Sequence, residues 1–262
     1  MNEGPIGIFD SGVGGTSIWK EIRKLIPNED TIFLADSKNA PYGEKSQDEI
    51  LSLSIKNTEL LLQMGCKLIV VACNTATTNA IKYLRSNYQV PFIGIEPAIK
   101  PAALKSASKT IGVLATRGTL SSSLFLSTSE IHANGITIIE QEGTGLVQRI
   151  EQGEAHSDEV RNLLMKFIEP MLRKGIDHLV LGCTHYPYLI PVLRELLPEH
   201  VTLIDSGEAV ARQTKSVLEQ GVLRNRTDAK GVYRFYTNAD VAILDTFLTD
   251  VNVPIETSFL EF

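Results

Sequence analysis

Two cysteines, Cys73 and Cys183, each close a short apolar run and precede a polar pair: Leu68-Ile-Val-Val-Ala-Cys-Asn-Thr75 and His178-Leu-Val-Leu-Gly-Cys-Thr-His185. Gly65 precedes the first thiol by eight residues, and Gly175 precedes the second by eight. A free thiol has a pKa of ~8.5 and can be tuned toward ambient pH, so it suits removal of a proton from a weakly acidic carbon. Two thiols facing one substrate from opposite sides do more. One takes the proton and the other returns one to the opposite face, which is the chemistry of a racemase or epimerase. An isolated cysteine reads instead as a small buried hydrophobe. That reading stays with Cys66, which precedes its strand and has no repeat partner.

Other groups cluster near the same run ends. Asp10-Ser-Gly-Val-Gly-Gly15 is a tight loop whose N–H groups point inward, suited to a carboxylate or phosphate. It is neither a Walker loop nor a dinucleotide fingerprint. Asp10 adds an acid/base group there and Ser11 a hydroxyl. Pro41-Tyr-Gly43 offers exposed backbone and the Tyr42 phenol, or a simple turn. Asn74, Thr75 and Thr184 are short neutral donors beside the thiols, and equally N-caps for the helices that follow. His185 stands two residues after Cys183, where it can protonate or orient a thiol or a substrate group. Cys73, Cys183, Asp10 and His185 are therefore the candidate catalytic residues. Cys73, Cys183 and His185 are also conceivable zinc ligands, but a fourth ligand is lacking and Cys-X-His is not the usual spacing, so no metal is expected. No lysine has a compelling site for pyridoxal phosphate, and no cofactor is expected.

These residues need strands to carry them. The pattern reads as a strand at 5–9, a helix at 16–25, a strand at 31–35, a helix at 46–64, the Cys73 strand and its helix, and a strand at 90–95. Alternation of this kind predicts a parallel sheet covered on both faces, with ligands at the carboxyl ends of its strands. The pattern then restarts. Thr110-Ile-Gly-Val-Leu-Ala-Thr116 echoes Pro5-Ile-Gly-Ile-Phe-Asp-Ser11 at an offset of 105, with Ala115 opposite Asp10, and Cys183 follows Cys73 at an offset of 110. Ile95 and Asp205 each lie 22 residues after their cysteine. An internal duplication follows, and with it an α/β fold of two similar domains, each a mostly parallel β-sheet flanked by helices, with the active site between them. The expected boundaries are 1–97 plus 208–262 for the first domain and 98–207 for the second.

Bulk properties narrow the setting. The chain has 262 residues, 43% hydrophobic and 21% charged, with a formal net charge of −6. That balance disfavours a nucleic acid or an anionic membrane as the main partner. Three cysteines are too few, and odd in number, for a disulfide framework. The start of the chain has no signal-peptide pattern and no run reaches transmembrane length, so a cytoplasmic location is expected.

Four motifs, Phe9-Asp-Ser-Gly-Val-Gly-Gly15, Ala35-Asp-Ser-Lys-Asn-Ala-Pro-Tyr-Gly43, Ala72-Cys-Asn-Thr-Ala-Thr77 and Gly182-Cys-Thr-His-Tyr-Pro187, closely resemble those of glutamate racemases in the aspartate/glutamate racemase family. The resemblance runs on to Arg234-Phe-Tyr-Thr-Asn-Ala-Asp240. It implies cofactor-independent interconversion of L- and D-glutamate, supply of D-glutamate for peptidoglycan, and a homodimer. It makes Cys73 and Cys183 the acid/base pair, and Asp10, Ser11, Tyr42, Gly43, Asn74, Thr75, Thr184 and His185 substrate contacts, with Thr116 and Thr119 also matching. Aspartate racemases tend to carry Cys-Thr-Glu where this chain has Cys-Thr-His185, which favours glutamate. Phe125 stands where the family often has Tyr, and Ala115 where it often has Gly. Gly143-Thr-Gly145 replaces a common Cys-Pro, so the resemblance carries no catalytic assist onto Glu151. A thiol-pair enzyme acting on aspartate or another acid, and a non-catalytic anion- or zinc-binding protein, remain as alternatives.

Overall fold

The computed structural model describes residues 4–132, 135–221 and 230–262. Among the described residues ten strands run in chain order: β1 (Ile6–Asp10), β2 (Thr31–Ala35), β3 (Leu68–Val71), β4 (Phe92–Gly94), β5 (Thr110–Ala115), β6 (Thr137–Glu142), β7 (His178–Gly182), β8 (Thr202–Ile204), β9 (Tyr233–Thr237) and β10 (Glu256–Phe259). They form two sheets flanked by helices, in the orders β10-β9-β2-β1-β3-β4 and β6-β5-β7-β8. Every strand pair among the described residues is parallel. Buried on both faces, the central strands are continuous apolar runs, which is why they stand out in the sequence.

The repeat extends to strand register. Gly7 pairs with Ile69 between β1 and β3, and Gly112 pairs with Leu179 between β5 and β7, reproducing the offsets of 105 and 110. The fourth strands depart from it. Ile69 pairs with Phe92, whereas Leu179 pairs with Leu203, so the offset there is 111 and the match of Ile95 with Asp205 is one residue out. Position 91 is proline and contributes only its carbonyl, accepting from Ile69 N–H at 3.0 Å, so β4 begins after it.

The helices before β3 and β7 are built alike. Ser46 caps Gln47–Gln63, with Glu49 completing a capping box, and Ser157 caps Asp158–Arg173. Both helices turn into the next strand through a left-handed glycine, Gly65 at φ +81 and Gly175 at φ +76. Trp19, on the helix Thr16–Leu25, joins β9 to the first sheet. Its ring meets Tyr233 and Phe235 edge-on at 5.4 and 4.7 Å, and its N–H donates to Thr31 Oγ1 at 2.9 Å. Short helices at Ile99–Lys105, Arg117–Leu120 and Leu146–Glu151 are too brief to leave a clear period in the sequence. Among the described residues, no helix is long and apolar enough to cross a membrane.

Candidate active site

Cys73 ends the β3 segment and is the N-cap of the helix Asn74–Asn87. Its sulfur accepts from Ala76 N–H at 3.4 Å and donates to Ser11 Oγ at 3.5 Å. Burial, and after it the nearby Asp10 carboxylate, pushes this thiol well above its ordinary pKa, so it is held protonated. Cys183 follows β7, with Sγ 3.7 Å from His185 Nδ1. The two sulfurs are close enough that charge on Cys183 acts on Cys73. Cys66 is buried behind β1, against Gly7, where burial pushes it up to about 12.

Asp10 is fully buried at the end of β1, and accepts from Gly15 N–H at 2.8 Å and from Thr184 Oγ1 at 3.2 Å. Burial raises its pKa to about 6 against the pull of His185 and the Gly15 N–H, which brings it near neutral pH.

The glycine loop differs from the sequence reading. Its N–H groups serve the chain's own side chains: Val13 N–H donates to Glu151 Oε1 at 2.7 Å and Gly15 N–H to Asp10. The glycines instead allow close approach. A Cβ on Gly12 would lie 1.9 Å from Glu151 Oε1, and one on Gly14 would lie 2.3 Å from His185 Nδ1.

Glu151 is the residue that sequence reasoning weighed and left without a role. It ends the helix Leu146–Glu151, and its Oε1 lies 2.5 Å from His185 Nε2, while Oε2 accepts from Ser37 Oγ at 2.9 Å. Burial pulls the His185 pKa down, but its bonds to Cys183 and Glu151 outweigh that and carry it well above the ordinary value. His185 is then an imidazolium, with Nε2–H on Glu151 and Nδ1–H toward Cys183. Gly14 N–H, 3.3 Å from Nε2, is a close neighbour, since a protonated nitrogen cannot accept. No sequence motif places Glu151 beside His185.

The opposite wall is a cluster of hydroxyls. Thr75 Oγ1 lies 2.8 Å from Thr116 Oγ1 and 3.3 Å from Thr119 Oγ1, joining the first repeat to the second. Thr116 also caps Arg117–Leu120. Gly43 sits against Thr116, where a Cβ would come within 2.7 Å. Asn74 is buried, and both its amide nitrogen and its amide oxygen lack a hydrogen-bond partner among the described residues. A buried amide left unpaired costs stability in the unliganded protein.

The Tyr42 phenol does not join this group. Its ring is buried, its hydroxyl donates to Asp36 and accepts from Asn57 Nδ2 at 3.0 Å, and only its backbone belongs to the Gly43 turn. Asp36, with no exposure, also accepts from Asn39 and Asn238. The sequence therefore brings Cys73, Cys183, Asp10, Ser11, Gly43, Asn74, Thr75, Thr116, Thr119, Thr184 and His185 to the facing sheet ends, and keeps the Tyr42 hydroxyl behind them. Among the described residues, no three His, Cys, Asp or Glu side chains are grouped as metal ligands.

Comparison with known proteins places this arrangement. The Asp/Glu/Hydantoin racemase family model matches residues 9–214. A glutamate racemase from Ectopseudomonas mendocina is 45% identical over 249 residues, covering 95% of this chain and 94% of that protein. The Escherichia coli glutamate racemase, solved with L-glutamate and the activator UDP-MurNAc-ala, is 35% identical with a TM-score of 0.84 and 98% of both chains covered. The Francisella tularensis enzyme, solved with D-glutamate, is 28% identical with a TM-score of 0.85, over 100% of this chain and 98% of that one. Motifs, fold and likeness along nearly the whole length agree: the chain belongs to the Asp/Glu/Hydantoin racemase family and stands among its glutamate racemases.

Proposed function

We propose that the chain interconverts L- and D-glutamate without a cofactor, with Cys73 and Cys183 exchanging the α-proton from opposite faces. The observation that carries this reading is the matched placement of the thiols. Cys73 lies two residues beyond the Phe9–Val71 pair, and Cys183 two beyond the equivalent Leu114–Leu181 pair. Like strand ends of two like sheets thus offer like groups to one substrate. One thiolate takes the α-proton and becomes a thiol, and the electron pair passes to the α-carbon and its carboxylate. The opposite thiol then gives its proton to the other face and is left as the thiolate.

Each thiol has its own neighbour for moving charge, Asp10 on the Cys73 side and the His185–Glu151 pair on the Cys183 side. The Asn74 amide and the first-turn N–H groups of the helix Asn74–Asn87 are donors for the carboxylate and for the charge it takes up during reaction. L- and D-glutamate, the ligands of two solved relatives, are the two ends of this reaction and support glutamate as substrate. Supply of D-glutamate for peptidoglycan in the cytoplasm, a homodimer, and domains of 1–97 plus 208–262 and 98–207 belong to the same reading.

The test is incubation of pure, metal-free protein with L-glutamate in deuterated water. D-glutamate carrying deuterium at the α-carbon is expected, and Cys73→Ala or Cys183→Ala should each abolish its formation in a folded protein. Turnover that survives in either variant, or no turnover on glutamate at all, overturns the reading.

A further inference from the structure

The hydroxyls of Thr16 and Tyr188 lie 2.5 Å apart, yet neither residue is among those gathered around the thiols. Thr16 is fully buried and opens the helix Thr16–Leu25 directly after the glycine loop. Tyr188 lies in the short helical turn Tyr186–Leu189 that follows His185. Thr16 Oγ1 also lies 2.6 Å from the Val13 carbonyl. A carbonyl only accepts and a hydroxyl has one proton, so Thr16 donates to Val13 and Tyr188 must donate to Thr16.

These bonds close a ring. Val13 N–H donates to Glu151 Oε1 at 2.7 Å, the same oxygen lies 2.5 Å from His185 Nε2, and Tyr188 N–H donates to the His185 carbonyl at 3.2 Å. Val13 and Thr16 come from the first repeat, while Glu151, His185 and Tyr188 come from the second. The Tyr188 ring is itself held, edge-on to Phe247 at 4.7 Å and beneath Lys20 Nζ at 5.2 Å, with Lys20 paired to Asp250 at 2.7 Å.

We infer that the Thr16–Tyr188 hydroxyl pair is a positioning element for proton transfer at Cys183: it fixes Val13, and through Val13 the Glu151 carboxylate that orients His185. The side chains in this ring, Glu151 and His185, are the neighbours of Cys183, and among the described residues the turn Val13–Gly15 bonds to the Cys73 side only through the Gly15 N–H on Asp10. The Cys73 thiol makes its bonds to Ala76 and Ser11, outside the ring. A general clamp on the fold would affect both thiols alike, whereas the side-chain bonds of this ring end on the neighbours of Cys183. The inference rests on the two-thiol reading, because a face-specific effect needs a thiol on each face.

Thr16→Val and Tyr188→Phe remove one hydroxyl each and keep the shape. The readout is one-way elimination from the two enantiomers of a glutamate analogue with a leaving group on the carbon next to the α-carbon, since that step needs deprotonation but no returned proton. Cys183→Ser serves as the reference for its own face. Both variants should slow elimination about tenfold or more from the enantiomer that Cys183→Ser fails to process, and change the other by less than about twofold. Thr16→Ser, which keeps the hydroxyl, should restore the wild-type pattern. Should Cys183→Ser lose both enantiomers or neither, the two-thiol reading falls and this inference with it. Should Cys183→Ser be selective while Thr16→Val and Tyr188→Phe slow both enantiomers equally, or lower only the melting temperature, the positioning role alone is overturned.

Discussion

His185 is held between two partners of opposite use: Glu151 Oε1 lies 2.5 Å from its Nε2, and Nδ1 points at the Cys183 sulfur. Against the pull of burial, the bonds to the Cys183 sulfur and to this carboxylate together hold the His185 pKa well above its ordinary value. Glu151→Gln keeps the shape and removes that charge. The folded pKa of His185 should fall, and the pH–rate limb that needs the imidazolium should move to lower pH. A loss of about 10- to 100-fold in kcat is expected, in line with a misplaced acid/base group. A pH–rate profile of the variant against wild type checks both. An unmoved limb would mean that Glu151 is only packing.

Asp10 carries a cost at neutral pH. Burial raises its pKa from 3.8 to about 6, so the folded state binds its proton more tightly than the unfolded chain does. Its contribution to stability is present in full below pH 3.8 and is lost as pH rises through about 6, a change of about 3 kcal/mol. Asp10→Asn removes the titration. The variant should therefore gain on wild type in denaturant midpoint between pH 4 and pH 7 while losing activity. A stability difference that stays constant with pH would count against a buried, titrating Asp10.

Asn74 tests the donors on the substrate side. Its amide is buried and unpartnered, so Asn74→Ala removes a destabilising group from the unliganded protein. Thermal stability should hold or rise, while KM for glutamate rises about tenfold, the equivalent of ~1.4 kcal/mol for a lost hydrogen bond to a charged group. A stability loss with unchanged KM would make Asn74 structural.

Tyr42 should behave in the opposite way. Its hydroxyl donates to buried Asp36. Tyr42→Phe leaves that carboxylate short of a donor, and should cost about 1–3 kcal/mol of stability with little change in KM. Chemical denaturation and steady-state kinetics on one preparation separate the two effects. A raised KM at unchanged stability would return the phenol to the substrate.

Much of this protein is legible in its sequence because buried parallel strands write themselves locally. Leu68–Val71 and His178–Gly182 are apolar runs, each led in by a left-handed glycine and followed closely by a cysteine. Those signals span fewer than a dozen residues, and they suffice to place both thiols, Asn74, Thr75, Thr184 and His185 at strand ends, as the apolar run of the first strand does for Asp10 and Ser11. What tertiary structure alone decides is which groups satisfy one another across the repeats. Val13 and Glu151 are 138 residues apart in the chain, and Asp10 and Thr184 are 174 apart. A contact over such a distance leaves no periodicity for a sequence to display. For that reason the sequence leaves Glu151 without a role, and the glycine loop directs its N–H groups to the chain's own side chains. The Tyr42 hydroxyl turns inward because Asp36, buried among short polar neighbours, needs its proton more than solvent does. The local code sets where each strand ends. The packing of the two sheet ends decides which partner each polar atom finds there, because a buried polar group without one is costly.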